Sequence, residues 1–255
     1  MRHGLHGFSQ IESVLICVIR VKKLKLKRNR RFILKTKYPI VIALDGTSAS
    51  GKSTNAKLVA KALGYVYVDT GAMYRTLAWY CLQKRVDVTD EKAVATACRK
   101  WKTKLECAEK DGLRAVRLLV EGYFPEKEIR TPETAAAVAH VAAVPKVRAW
   151  MKKTQRDCIQ FGNLVMEGRD IGTNVFPETD FKFYLDASLA ERTARRTADG
   201  VNENLAARDQ RDSQRAVAPL MIALGAKVLN NSSMTSAETS GWLLAEIRKL
   251  MLVEK

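Results

Sequence analysis

The octapeptide GTSASGKS, residues 46 to 53, is a complete GxxxxGK[ST] phosphate loop. An apolar run, residues 40 to 44, comes just before it, and Ala56, Val59 and Leu63 follow it at helical spacing. A strand that leads into a glycine-rich turn and then a helix aims backbone N–H groups and the positive helix end at one anion. The sequence therefore predicts a strand, a turn and a helix that bind a nucleoside triphosphate.

The residue types of this loop suit ATP and Mg²⁺. Glycines let the backbone curve around phosphates without side-chain clashes, and Lys52 reaches the outer phosphates. The hydroxyl of Ser53 is placed to ligate Mg²⁺. We expect ATP to contact the loop throughout, at Gly46, Thr47, Ser48, Ala49, Ser50, Gly51, Lys52, Ser53 and Thr54.

Strand and helix patterns alternate along most of the chain. Short apolar runs predict four further strands, at residues 65 to 68, 163 to 166, 181 to 185 and 226 to 229. Strands that alternate with helices are typical of parallel crossovers. We expect an α/β fold of the P-loop NTPase type, in which helices cover both faces of a five-stranded parallel sheet.

The middle of the chain has a different pattern. Residues 105 to 108 and residues 115 to 121 flank the dipeptide Asp111-Gly112. Asp-Gly readily takes the positive φ angles that a two-residue hairpin turn requires. The sequence therefore predicts a small antiparallel insertion in the parallel fold.

Composition narrows the class of protein. The chain has 255 residues, 47% of them hydrophobic, which is enough for one sizeable core. No apolar stretch approaches the ~20 residues that span a bilayer, so we expect no membrane segment. Five scattered cysteines without a CxxC pair argue against a disulfide framework and a zinc site. We expect a monomer in a reducing cytoplasm.

Most of the net charge of +17 lies near the N-terminus. Residues 1 to 38 hold eleven Lys or Arg and one acid, Glu12. We expect them to be a disordered extension, or a segment translated upstream of the true start, and residues 39 to 255 to form the catalytic domain. Nucleic acid would bind only through this basic extension, by counterion release.

A second group of residues offers a site for the acceptor. Arginines follow the predicted strands or lie on helices beside them: Arg75, Arg148, Arg169, Arg208, Arg211 and Arg215. In a doubly wound sheet the ligand crevice lies at the carboxyl ends of the strands. Guanidinium groups that converge there suit a second phosphate and the charge that develops in phosphoryl transfer. For any single arginine, a surface salt bridge is the competing interpretation.

These motifs together resemble the nucleoside-monophosphate kinases, and among them the bacterial cytidylate kinases. The similar segments run in order from about residue 40 to the C-terminus. The phosphate loop is shared by many folds, but three further motifs are specific to this family: DTGAMYR at 69 to 75, GRDIGT at 168 to 173 and RDQRDSQRAVAPL at 208 to 220.

The resemblance implies a role for each polar side chain. The monophosphate would be held by Thr70, Arg75, Arg169 and Arg215. The cytosine edge would be read by Arg148 and Asp170, and the sugar would be contacted by Arg208 and Asp212. ATP would be covered by the arginines of a mobile lid: Arg192, Arg196, Arg208 and Arg211.

The same resemblance sets two subdomains within the catalytic domain. Residues from about 103 to 130 would be an insertion on the monophosphate side, and residues from about 190 to 216 would be the lid. Four features depart from the family pattern, among them Thr47 in place of a usual proline and Asn230 in place of a usual aspartate. Ala139 stands where the family usually has a serine that contacts the base, and the segment between Arg196 and Arg208 is short for this lid.

The resemblance implies transfer of the γ-phosphoryl group of ATP to CMP or dCMP, which gives CDP or dCDP and ADP. A phosphate monoester has its second pKa near ~6, so its attacking oxygen is mostly deprotonated at pH 7 and no catalytic base is required. Catalysis would rest on alignment and charge neutralisation by Mg²⁺ and four side chains, Lys52, Arg169, Arg208 and Arg215. Two alternatives stay open: a monophosphate kinase of other base preference, such as UMP, and a nucleic-acid-binding protein that uses ATP as a switch.

Overall fold

Seven strands form one sheet in the computed structural model, which describes residues 39 to 200 and 204 to 253. In chain order the strands are β1 (Val41–Gly46), β2 (Val66–Asp69), β3 (Thr103–Lys110), β4 (Leu113–Val120), β5 (Leu164–Glu167), β6 (Lys182–Asp186) and β7 (Lys227–Asn230). The expectations for residues 1 to 38 lie outside the described part of the chain.

The strand order across the sheet is β3-β4-β2-β5-β1-β6-β7. The strand before the phosphate loop, β1, lies between β5 and β6 and is parallel to both. The five strands expected from the apolar runs are all present and parallel to one another. The predicted α/β class is therefore confirmed.

In the described part of the chain, eight α-helices connect and cover the strands. They are α1 (Lys52–Leu63), α2 (Thr70–Gln83), α3 (Glu91–Lys100), α4 (Pro132–Val141), α5 (Pro145–Asp157), α6 (Leu189–Ala198), α7 (Leu205–Ser213) and α8 (Ser236–Val253). Among the described residues, no helix has the length and apolar composition needed to cross a membrane. Helix α3 was not predicted from the sequence, although the Asp90 carboxylate caps it by accepting the N–H groups of Lys92 and Ala93.

The predicted hairpin, β3 and β4, extends the sheet. Its turn contains Asp111 and Gly112, both with positive φ, 52° and 72°. β4 then pairs in parallel with the edge of β2, where Tyr67 lies opposite Ala115. The sheet thus has seven strands rather than five, because the insertion is joined to it by backbone hydrogen bonds.

The core lies on both faces of β1, whose six residues are all buried. Val41 and Ala43 pack in an apolar cluster with residues of α2, α3 and α5. On the other side α1 packs against α8, and the ring of Phe183 meets that of Trp242 edge to face. A central strand buried on both faces is typical of parallel sheets.

The first glycine of the phosphate loop is required by the sheet. Gly46 has φ of +149°, and it lies opposite Leu185 of β6. A Cβ atom at Gly46 would lie 1.9 Å from the Leu185 carbonyl oxygen. Backbone on the neighbouring strand therefore excludes a side chain at this position.

We expect Gly46→Ala to lower the free energy of unfolding by about 3 kcal/mol or more, because the clash is with backbone that cannot rotate away. Gly64→Ala is the matched control. Gly64 also has positive φ, +69°, but a Cβ there meets nothing within 4 Å, so the expected loss is about 1 kcal/mol. Urea unfolding measures both, and equal losses in the two variants would contradict the explanation.

Candidate active site

Polar residues gather where the central strands end. Asp69 closes β2 and Glu167 closes β5, and the two residues lie opposite each other in the register. A cleft of about 1140 Å³ opens beside them. Its walls come from the phosphate loop, from α2 and from the arginine-rich helix α7, so the strand ends bring distant parts of the sequence to one cavity.

The phosphate loop is fixed by its own hydrogen bonds. Gly51 is the N-cap of α1 with φ of 85°, which a glycine adopts without strain. The Ser50 hydroxyl donates to the Thr47 carbonyl at 3.0 Å, and the Thr47 hydroxyl donates to Asp186 Oδ1 at 2.7 Å. These bonds orient the start of α1, with its positive end, toward the cleft.

The ammonium group of Lys52 lies inside this loop. It donates to the Thr47 carbonyl and, at 3.3 Å, to the Ser50 hydroxyl. Burial lowers the pKa of Lys52 well below its ordinary value, and the nearby Arg169 lowers it further. A phosphate anion in the cleft would oppose both effects, since an opposite charge stabilises the ammonium form.

A carboxylate and a hydroxyl face each other at the start of α1. Ser53 Oγ donates to Glu167 Oε2 at 2.8 Å, and the Tyr67 hydroxyl donates to Glu167 Oε1. Burial raises the pKa of Glu167, and the charge of Asp69 adds to the rise. A cation bound beside Glu167 would relieve this cost of burial.

Arginines of the cleft are held by carboxylates. Arg75 Nη2 lies 2.9 Å from Asp69 Oδ2, and Arg148 Nη2 lies 2.7 Å from Asp170 Oδ2. On α7, Asp212 accepts hydrogen bonds from two more arginines: Arg169, with Nε at 2.9 Å, and Arg215. Each pair fixes the direction of its guanidinium group before any ligand arrives.

The pair of Arg148 and Asp170 is the most deeply buried, with side chains 2% and 9% exposed. Arg148 also donates to the Ala142 carbonyl at 3.2 Å and lies over the ring of Tyr74. Within the described residues, the buried Nε atoms of Arg148 and Arg75 have no hydrogen-bond partner. Leaving a buried donor unpaired is costly, so these two positions carry part of the cost of placing arginines in the wall of the cleft.

Most residues predicted for the site line this one cleft. They are Ser48, Ala49, Gly51, Lys52, Ser53, Thr54, Thr70, Arg75, Arg148, Arg169, Asp170, Arg196, Arg208, Asp212 and Arg215. Four lie outside the lining. Gly46, Thr47 and Ser50 belong to the phosphate loop but do not line the cleft, and Arg192 is buried.

The guanidinium group of Arg192 faces protein. Nε donates to the Ala187 carbonyl at 2.9 Å, and Nη1 donates to the Ser48 carbonyl at 3.1 Å and to Asp209. Arg195, which was not among the predicted site residues, lines the cleft. Arg192 and Arg195 lie three residues apart, on the same side of a short helix, so the pattern alone did not say which of them reaches the cleft.

Asp45 lies in β1, one residue before its end, and was not among the predicted site residues. Its carboxylate accepts the backbone N–H groups of Ile171 at 2.9 Å and of Gly172 at 2.8 Å. These residues follow Arg169 and Asp170, so Asp45 holds the GRDIGT turn against β1. Burial raises the pKa of Asp45 to about 6, although the two N–H donors act in the opposite direction.

The fold and the cleft define a P-loop kinase type of nucleotide site. The family model described as cytidylate kinase matches residues 42 to 249. A cytidylate kinase of Lactiplantibacillus plantarum is 38% identical over 84% of this chain and 96% of its own length. One of Limosilactobacillus reuteri is 40% identical over 82% and 94%, and one of Anoxybacillus flavithermus is 41% identical over 78% and 92%. The chain belongs to the cytidylate kinase family, and the resemblance seen in the sequence is confirmed.

The buried carboxyl of Asp45 makes stability depend on pH. Because its pKa is raised in the folded state, protonation favours folding, and this stabilisation is lost as pH rises from about 4 through about 6. We expect the unfolding free energy of the parent, minus that of Asp45→Asn, to fall by up to about 3 kcal/mol between pH 4 and pH 7. Urea unfolding across this range measures the difference.

Asp87→Asn serves as the control. Asp87 is exposed, and hydrogen bonds from Thr89 lower its pKa. The unfolding free energy of the parent, minus that of Asp87→Asn, should therefore rise with pH instead of falling. A flat difference for Asp45→Asn over this pH range would show that the carboxyl is ionised at no cost.

Proposed function

We propose that this chain transfers the γ-phosphoryl group of ATP to CMP or dCMP, giving CDP or dCDP and ADP, in pyrimidine nucleotide metabolism. Membership in the cytidylate kinase family makes it a kinase that acts on nucleotides. The observation that carries the proposal is one cleft lined by a phosphate loop on one side and by carboxylate-held arginines on the other. Two nucleotides bound in one cleft would be held next to each other in the orientation that transfer requires.

ATP would bind on the phosphate-loop side of the cleft. Lys52 and the N–H groups at the start of α1 would contact its outer phosphates. Arg196, Arg208 and Arg211 would contact it from α6 and α7, and all three line the cleft. We leave Arg192 out of this set, since its guanidinium group already bonds Ser48, Ala187 and Asp209.

Mg²⁺ would bind beside Ser53. The donors available there are a hydroxyl and the Glu167 carboxylate, and the rest of an octahedral shell would be water and phosphate oxygens, which suits this cation. Among the described residues there is no group of three or more His, Cys, Asp or Glu side chains that would hold a metal by themselves. When bound, Mg²⁺ neutralises phosphate charge.

The monophosphate would bind on the other side of the cleft from ATP, where it would contact Thr70, Arg75, Arg169 and Arg215. Thr70 is buried, and its hydroxyl donates to the Glu167 carbonyl at 2.7 Å. Burial, with a smaller contribution from the charge of Arg148, lowers the pKa of Arg215 to about 10, so a phosphate dianion is a favourable partner there. Arg208 and Asp212 would contact the sugar.

The base would be read by Arg148 and Asp170. Their ion pair offers a donor and an acceptor whose positions are fixed by Ala142 and by Asn174, which donates to Asp170 at 2.9 Å. The carboxylate of Asp170 is thus engaged as an acceptor. This supports a role in recognition and not in proton removal, which phosphate chemistry near pH 7 does not require.

We further propose that the enzyme is a cytoplasmic monomer whose catalytic domain is residues 39 to 255. Within it, residues from about 103 to 130 would serve the monophosphate side, and residues from about 190 to 216 would form the lid. The basic residues 1 to 38 would be dispensable for chemistry and would be the only part of the chain able to bind nucleic acid.

We expect Lys52→Ala and Arg169→Ala each to lower kcat by roughly 10² to 10³, because each removes a charge aimed at the transferring group. Lys61→Ala is the control. Lys61 lies on the same helix as Lys52, but it is exposed and bonds the Asp111 carbonyl, so its kcat should stay within about twofold of the parent. Steady-state ADP release measures all three, and near-parental turnover in Lys52→Ala would refute its assigned role.

We expect CMP and dCMP to exceed UMP and AMP in kcat/KM by at least about tenfold, because a base that mismatches the buried Arg148 and Asp170 leaves polar groups unpaired. ADP release with the four monophosphates measures this, on the full chain and on residues 39 to 255. Equal use of UMP would favour the other base preference, since Ala139 lines the cleft without a polar group. Salt-sensitive RNA binding with little CMP-dependent ADP release would favour the nucleic-acid alternative.

A further inference from the structure

The backbone N–H and carbonyl groups of Ser48, in the phosphate loop, both make hydrogen bonds to side chains of α6 and α7. The Ser48 N–H donates to Asp209 Oδ1 at 2.9 Å. The Ser48 carbonyl accepts from Arg192 Nη1 at 3.1 Å, and Arg192 also pairs with Asp209. Ser48, Arg192 and Asp209 thus form a closed triangle of hydrogen bonds, which joins the phosphate loop to two helices more than 140 residues further along the chain.

The triangle is shielded from water. The side chains of Arg192 and Asp209 are 9% and 14% exposed. Charges this buried are stable only when their remaining hydrogen bonds are made, and Arg192 makes another, from Nε to the Ala187 carbonyl just before α6. Removing either side chain would leave the other buried without an opposite charge beside it.

Helix α7 is held at two neighbouring positions. Asp209 binds the phosphate loop, and Asp212, three residues later on the same side of the helix, binds Arg169 and Arg215. One rigid turn of helix therefore connects the loop proposed for ATP to the arginines proposed for the monophosphate. Arg208, beside Asp209, lines the cleft between them.

We infer that Asp209 and Arg192 are positioning residues that clamp α7 to Ser48 and so set the distance between the donor phosphates and the arginines of α7. The inference rests on the proposed function. Neither residue lines the cleft. Their effect is geometric, because a displacement of about 1 Å in such a site can cost on the order of 10² in rate.

The test begins with Asp209→Ala and Arg192→Ala in the full chain. We expect each to lower kcat about 10- to 100-fold, with KM for ATP within roughly threefold of the parent. Because both act through one triangle, the double variant should lose no more than the worse single variant. Gln210→Ala, at an exposed position on the same helix, should keep parental kinetics.

Two results would overturn the clamp. One is Asp209→Ala with kcat within about twofold of the parent. The other is a double variant whose losses multiply, together with an Arg192→Ala effect confined to KM for ATP, since that pattern means that Arg192 contacts ATP directly.

Amide hydrogen exchange at Ser48 supplies a measurement that needs no turnover. Asp209→Ala removes the acceptor of this N–H, so its exchange should become at least about tenfold faster than in the parent. Asp209→Asn keeps an acceptor oxygen but loses the charge, so it should fall between the two, and it serves if the alanine variant does not fold. Unchanged exchange in both variants would contradict the clamp. A parent without CMP-dependent ADP release would instead refute the proposed function and leave the exchange result valid.

Discussion

Repulsion among the cations of one cleft is the constraint on which the site depends. Lys52, Arg75, Arg148, Arg169 and Arg215 all line the same cavity, and each disfavours the charge of its neighbours. The protein meets this cost with carboxylates set between the arginines. Four ion pairs result: Arg75 with Asp69, Arg148 with Asp170, and both Arg169 and Arg215 with Asp212. Without these acids the cations would repel one another and turn toward solvent.

The same carboxylates determine how the cleft would meet its ligands. Each acid engages only some of the N–H donors of its guanidinium group, which has five, so other donors remain for a phosphate. Two incoming nucleotides would add the negative charge that the cluster lacks. Because the donors are already oriented, little reorganisation would accompany phosphoryl transfer. The parallel sheet contributes to this, since it fixes the strand ends at or just after which Asp69 and Asp170 lie, whereas Asp212 projects from α7.

Much of the fold could be predicted from the sequence because its signals are local. The phosphate loop, the apolar strands and the turn at Asp111 each depend on a few adjacent residues. The attachment of the hairpin to β2 could not be predicted, because the register between distant strands leaves no local pattern. Helix α3 was missed although its cap, Asp90, was present in the sequence.

For the site, residue types were easier to predict than partners. The arginines could be found because their motifs are contiguous, and the strand ends indicated where they would meet. Their acids were harder to assign, since a pair such as Arg192 with Asp209 joins two separate helices, and no local pattern shows which arginine meets which acid. The hydrogen bond from Ser53 to Glu167 spans 114 positions in sequence. Sequence spacing therefore predicted a cleft rich in cations, and the folded chain was needed to show what holds each one.

The most direct test of the account is the binding of a bisubstrate molecule in which adenosine and cytidine are joined through five phosphates. Calorimetry should find one molecule per chain, bound more tightly than ATP or CMP alone and displaced by either nucleotide, since both would occupy one cleft. Arg169→Ala should weaken this binding more than it weakens that of ATP. A bisubstrate molecule that ATP displaces but CMP does not would show that the arginine side of the cleft holds no second nucleotide, and the account would be wrong.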